Sequence, residues 1–140
     1  MRDAYGLKLR LKVNYAWNMK PNAKGNYLLA DFDEIPPVPC PCGLAQRAFT
    51  QTDNPTASFH RVEISENSRP HYHKRTTEIY HVLEGSGTLE LDDDRIPLKP
   101  GVTALIKPGC VHRALGKLTI INVPIPTFDP GDEWYPETKE

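Results

Sequence analysis

Proline constrains this chain more than any other residue. There are 14 prolines in 140 residues, about twice the usual share. They gather at segment ends rather than in one tract, which disfavours long helices and suits many short strands. Turn chemistry recurs between them, at Asp53-Asn54-Pro55, Gly85-Ser86-Gly87, Asp92-Asp93-Asp94, Pro100-Gly101 and Pro108-Gly109. The intervening stretches read as strands at 45–51, 57–65, 70–74, 77–83, 88–92, 95–98, 102–107, 111–114 and 118–123. Short strands at this density, with no helical period between them, predict an all-β antiparallel sandwich or barrel.

Upstream, Leu7, Leu9, Leu11 and Val13 alternate with Lys8, Arg10 and Lys12, the pattern of a half-exposed strand. Residues 31–41 read as a proline-rich extended connector. The expected organisation is an N-terminal arm and connector over 1–44, a barrel over 45–128 and an irregular tail over 129–140. Trp134 and Tyr135 are placed to pin that tail to the barrel. A length of 140 residues and a net charge of −1 predict one domain with its own core. Neither a basic stripe nor a long apolar run is present, so neither nucleic acid nor membrane is expected as a partner. The first residues lack an apolar signal core, and a cytoplasmic location is the expectation. Three cysteines argue against a secreted disulfide framework. Cys40, Cys42 and Cys110 are expected to be reduced thiols that take no part in metal binding.

The chemistry concentrates in two places. His71, Tyr72 and His73 lead to Glu78, with Gly85 beyond it; about thirty residues later Pro108-Gly109 leads to His112. Alternate residues of an extended strand share a face, so His71 and His73 address one target while Tyr72 points away. Three imidazoles and a carboxylate suit one divalent transition metal (Fe, Mn, Ni, Co, Cu or Zn). Calcium prefers six or more oxygens. The alternative is that these are hydrogen-bonded polar residues in a barrel that holds no metal.

On these residues the chain resembles the cupin superfamily. The first motif of that family matches His71, His73, Glu78 and Gly85; the second matches Gly101, Pro108, Gly109 and His112. Two positions depart from the family pattern, around Ser65 and at Gly116. The resemblance implies a jelly-roll barrel and a metal on the cavity wall. It also implies oxygenase, isomerase or epimerase, or decarboxylase chemistry on a small molecule, with a non-catalytic binding or sensor module as the alternative.

Further residues carry lesser expectations. Glu78, Tyr80 and Val82 share a face, which brings Tyr80 near the metal as a candidate proton source. His81 falls on the opposite face. Arg47, if inward, is placed to clamp a substrate carboxylate. Arg69 and Arg75 flank the histidine pair and are read as steering anions. His60 is assigned a supporting role. The ligand is expected to be small, oxygen-rich and anionic. The apolar arm predicts a homodimer, since its stripe needs a partner surface.

Overall fold

The computed structural model describes residues 25–137. The Leu7–Val13 stripe lies outside them. Seven strands are present among the described residues: β1 (Val38–Cys40), β2 (Gly43–Ala48), β3 (Phe59–Ile64), β4 (Thr77–Leu91), β5 (Asp94–Leu98), β6 (Thr103–Ile106) and β7 (His112–Ile125). Every pairing is antiparallel, in the order β1-β2-β3-β7-β4-β5, with β6 also on β4. This is the all-β antiparallel architecture that the proline and turn pattern predicts, in the jelly-roll form that the resemblance implies. Its curled sheet is not strictly closed.

One expected turn, and the break expected between strands 111–114 and 118–123, are instead the middles of long strands. Thr77 to Leu91 is one strand through Gly85-Ser86-Gly87, and His112 to Ile125 is one strand through Gly116. They pair with each other along nearly their whole lengths, with an irregularity between Val82 and Glu84. The glycines serve cross-strand approach rather than reversal. Gly85 has φ +88°, and a Cβ there would lie 1.9 Å from the carbonyl oxygen of Lys117. Only a residue without a side chain fits. By contrast, the Asp92-Asp93 reversal is a true hairpin, since Leu91 pairs with Asp94.

Strand pairing begins inside the stretch read as a connector. A short 3₁₀ turn (Phe32–Glu34) is capped by the Asp31 side chain, and Gln46 Nε2 donates to the carbonyls of Phe32 and Ile35. Val38–Cys40 then adds as an edge strand, where Pro39 can be accommodated because an edge leaves one side unpaired. The 70–74 segment, expected as a strand, makes only isolated bridges: His71 with His112 and Tyr72 with Trp134. Its alternation survives, with His71 and His73 buried on either side of a half-buried Tyr72.

The core lies between the two halves of the curled sheet. Val62, Ile64, Val82, Leu89, Leu98, Ile106, Leu118 and Ile120 fill it, from alternate positions of β3 to β7. One end of this interior is polar rather than apolar, and it holds His60, His71, His73, Glu78, His112 and Asn122, all buried. Buried polar groups need partners; these are the site.

Candidate metal centre

Glu78 enters from the inward face of β4, and His112 from the first residue of β7. His71 reaches the same point because its backbone bridges His112 through N–H···O bonds of 3.1 and 2.8 Å. One donor atom from each of His71, His73, Glu78 and His112 falls within 4.8 Å of the others. Alternation and the family resemblance together carried this expectation; the β4–β7 register sets Glu78 opposite Pro124 and His112 opposite Leu91, so the donors meet through the curl of the sheet and the His71–His112 bridge.

The ring nitrogens decide what the cluster can hold. Each histidine turns Nδ1 to a backbone carbonyl: His71 to Arg69 at 3.1 Å, His73 to Asp132 at 2.8 Å, His112 to Cys110 at 2.9 Å. A carbonyl only accepts, so Nδ1 carries the proton. In the neutral ring Nε2 is then a bare lone pair. Two of these lone pairs face Glu78 Oε2, from His112 at 2.9 Å and from His73 at 3.1 Å. The His73 contact is close enough for an ion pair, yet His73 Nε2 has no hydrogen-bond partner. Lone pairs facing a carboxylate oxygen repel unless a cation or extra protons lie among them. The donor set therefore fits a divalent transition ion. Ligands about 2.1 Å from an ion lie up to ~4.2 Å apart, so the cluster needs only a small contraction.

Without an ion, the charges are tuned as follows. Glu78 is almost completely buried, which opposes its charge, but the adjoining His112 and His73 hold its carboxyl far below the usual range. His73 is also opposed by burial, and the adjacent Glu78 carboxylate raises it. Burial and the neighbouring His112 charge lower His71 to about 4. Neutral imidazole is the metal-binding form.

A small cavity of about 20 Å³, room for about one water, adjoins His71 and Glu78. Arg47 does line it, as an inward side chain should, with its guanidinium carbon 4.2 Å from the Phe128 ring centre. Arg47 Nε is buried and has no hydrogen-bond partner. His60 lines it too, with Nε2 3.0 Å from Ser58 Oγ; burial lowers its pKa to about 4. Tyr80 is not part of this lining. Its ring packs edge-on against His112, its hydroxyl lies 3.8 Å from Cys42 Sγ, and burial drives its pKa well up. His81 binds Thr103 on the other face, as alternation requires. Arg69 and Arg75 are spent elsewhere, on the Tyr135 ring at 3.6 Å and on Asp129 at 2.7 Å.

The structure adds residues that spacing did not single out. Asn122 donates to Glu78 Oε1 at 2.7 Å, while its own Oδ1 is buried without a partner in the cavity wall. A lone polar residue among the inward positions Ile120, Asn122 and Pro124 was the available signal. Glu133, from the tail, also lines the cavity, and burial raises its carboxyl pKa despite the opposing pull of Arg47. Asp132 anchors that tail: its carboxylate accepts from the backbone of Lys74, Arg75 and Thr76 and from the Thr76 hydroxyl. Trp134 and Tyr135 do pin the tail. Trp134 exchanges backbone bonds with Tyr72 and lies under Lys74 Nζ at 3.3 Å.

Comparison with known proteins agrees with this architecture. The family described as Cupin domain matches residues 58–117. A protein from Planctomyces limnophilus of known crystal structure is 41% identical, covering 76% of this chain and 95% of its own, with a TM-score of 0.72. Streptomyces Pac13, solved with uridine, shares the fold at 20% identity over 76% of this chain and 88% of its own, with a TM-score of 0.63. Ectoine synthase from P. lautus shares it at 18% identity over 73% and 80%, with a TM-score of 0.61. The uncharacterized protein MJ1618 of Methanocaldococcus jannaschii is 35% identical over 52 residues, which are 37% of this chain and 42% of that relative. The match thus spans less than half of that curated relative's length. No helix among the described residues is long and apolar enough to cross a membrane. The chain belongs to the cupin superfamily.

Proposed function

We propose that His71, His73, Glu78 and His112 bind one divalent transition metal, and that the chain is a metalloenzyme for a small, oxygen-rich acid. The observation that carries this reading is the tautomer lock: three Nδ1 atoms held by carbonyls, leaving Nε2 lone pairs beside one carboxylate. A bound metal would supply Lewis acidity, or a site for oxygen, with positions left open for an oxygen-bearing ligand. The chain's own residues supply the rest. Arg47 offers an unpartnered Nε to an anionic group, and Asn122 Oδ1 offers an unpartnered acceptor to a hydroxyl. Glu133, its pKa raised by burial, can take up and return a proton at the cavity wall. These features favour isomerase, epimerase or related proton-transfer chemistry. The Tyr80 hydroxyl, enclosed against Cys42, gives less support to a phenolic proton source. Pac13 is described as a nucleoside dehydratase, and ectoine synthase is a synthase by name; small-molecule enzymes therefore occur on this fold. A non-catalytic binding module remains the second reading, favoured by the small size of the cavity.

Elemental analysis tests the metal, and thermal shift tests the ligand. Wild-type protein should carry close to one metal per chain, and the His73→Ala/His112→Ala double variant none; undiminished metal would sink the assignment. Hydroxy and keto acids should stabilise the loaded protein more than matched neutral compounds, through Arg47. Equal stabilisation in an Arg47→Met variant would remove the anion from the proposal. Turnover in a substrate screen under air and under argon separates enzyme from binding module.

A further inference from the structure

Cys40 and Cys42 flank Pro41 in a two-residue reversal: Cys40 pairs with Gly43, so Pro41 and Cys42 form the loop between β1 and β2. Both cysteines line the cavity that adjoins His71 and Glu78. Both are free thiols. Their exposure differs. Cys40 is half-buried, whereas Cys42 is buried against Tyr80. Cα atoms one residue apart in a turn are separated by about 5.5 Å, inside the range that a disulfide spans. Cys110, the third thiol, sits after β6 beside Val111 and Asp92, outside this cavity lining.

We propose that Cys40 and Cys42 form a reversible disulfide at the cavity wall, with Cys40 attacking hydrogen peroxide first and Cys42 resolving it. This does not rest on the metal reading. The Cys40 sulfur attacks one peroxide oxygen, the O–O bond breaks, and Cys40 becomes a sulfenic acid as one water leaves. The Cys42 sulfur, losing its proton, then attacks the Cys40 sulfur. The S–O bond breaks, a second water leaves, and the S–S bond forms. Two thiols are oxidised by two electrons and one peroxide is reduced. A dithiol reductant reverses the change.

Three features of the pair support these roles. The neighbouring Cys42 side chain, the backbone amides of Cys42 and Gly43 and the Arg47 charge lower the Cys40 pKa against the opposing effect of burial. The more accessible sulfur is thereby the better nucleophile. The hairpin places the resolving residue two positions along the chain from it, on the same cavity wall. The closed ring has one intervening residue, so the bond is strained and easily reduced, the property of a labile rather than a structural disulfide.

Titration of the full chain with hydrogen peroxide tests this, read by intact mass and by alkylation mapping after trypsin digestion. The expected product has lost two hydrogens, maps to the Cys40–Cys42 peptide, leaves Cys110 alkylatable and reverts with dithiothreitol. It should form at least ~10-fold faster in folded protein than in urea, because the folded hairpin keeps both cysteines on one cavity wall. Equal rates folded and unfolded would overturn the proposal, as would higher oxidation of Cys40 while Cys42 stays alkylatable. Reaction at Cys110 ahead of the pair would overturn it too. In Cys42→Ser, dimedone should trap a sulfenic acid on Cys40; in Cys40→Ser it should trap none on Cys42. If either variant misfolds, the wild-type rate comparison decides alone.

Discussion

Asp132 is the residue whose loss should cost this fold most outside the hydrophobic core. It is 2% exposed, and its Oδ2 accepts from the backbone of Arg75 and Thr76 and from the Thr76 hydroxyl, at 2.9–3.0 Å. Its Oδ1 accepts from Lys74 N at 3.1 Å and Trp134 Nε1 at 3.3 Å. Burial opposes this charge, but the donors win and hold the pKa at about 2. Asp132→Asn keeps the volume and turns one oxygen into an NH₂ group. Whichever way the amide lies, at least two donors then face a donor. Each lost charge-assisted bond is worth roughly 1.5–3 kcal/mol. Lys74 and Arg75 are exposed and can rehydrate their N–H groups, so the net cost should be about 3 kcal/mol. With a urea slope of about 1.5–2 kcal/mol per molar, the unfolding midpoint should fall by roughly 1.5–2 M. Circular dichroism and tryptophan fluorescence should both report the shift. A fall smaller than ~0.5 M would refute the claim that these donors depend on Asp132.

Three further outcomes follow from the same geometry. Gly85→Ala drives a Cβ into the Lys117 carbonyl at a positive φ, and should cost about 3 kcal/mol or more, whereas Gly109→Ala, also at φ +88° but with open space around it, should cost only about 1; similar melting shifts would show that cross-strand approach is not what Gly85 permits. In metal-stripped protein, His60 and His71 have folded pKa values lowered to about 4 from 6.5, so their contribution is full above pH 6.5 and is lost as pH falls towards 4. The loss is at most about 3 kcal/mol for each, His60→Gln should remove its share of the slope, and an unchanged stability–pH curve in that variant would contradict the assignment. Outer-face positions Leu44, Phe59, Leu83, Leu105 and Ile125 are exposed, and we propose that the 7–13 stripe covers such a face on a second copy. Light scattering should find the full chain dimeric and a chain starting at Asp31 monomeric or aggregated; a well-behaved dimer of the shorter chain would exclude the arm as the interface.

The four candidate ligands were legible because each part of their placement is local. Alternation sends His71 with His73 and Glu78 with Val82, and an apolar strand after Pro108-Gly109 carries His112 inward. Glycine was misleading for a physical reason. It marks positive φ and also close backbone approach, and sequence does not say which; Gly85 is both. Proline misled similarly at Pro39, because an edge strand tolerates what a central strand cannot. Asn122, Asp132 and Glu133 escaped because their roles depend on register and on a tail that folds back. Asn122 lies opposite both Tyr80 and His60 across β7, a relation that no spacing along one strand contains. The cysteines were read correctly as free thiols, yet their place on the cavity wall was not visible from Cys40-Pro41-Cys42 alone.

The histidines of the site are not held equally, and this asymmetry joins the fold to its chemistry. His71 and His112 each bond the carbonyl two residues before them, Arg69 and Cys110. Those locks are made by the local backbone, and side-chain substitution nearby leaves the carbonyl in place. His73 has no such local partner. Its Nδ1 bonds the carbonyl of Asp132, 59 residues away, in a tail secured mainly by the Asp132 carboxylate and by Trp134. Two of the three tautomers are therefore set by their own local backbone, while the third depends on the docked tail. The same docking brings Glu133 to the cavity and Phe128 beneath Arg47. A single carboxylate, far from the motif in sequence, thus couples completion of the metal-binding set to completion of the ligand cavity.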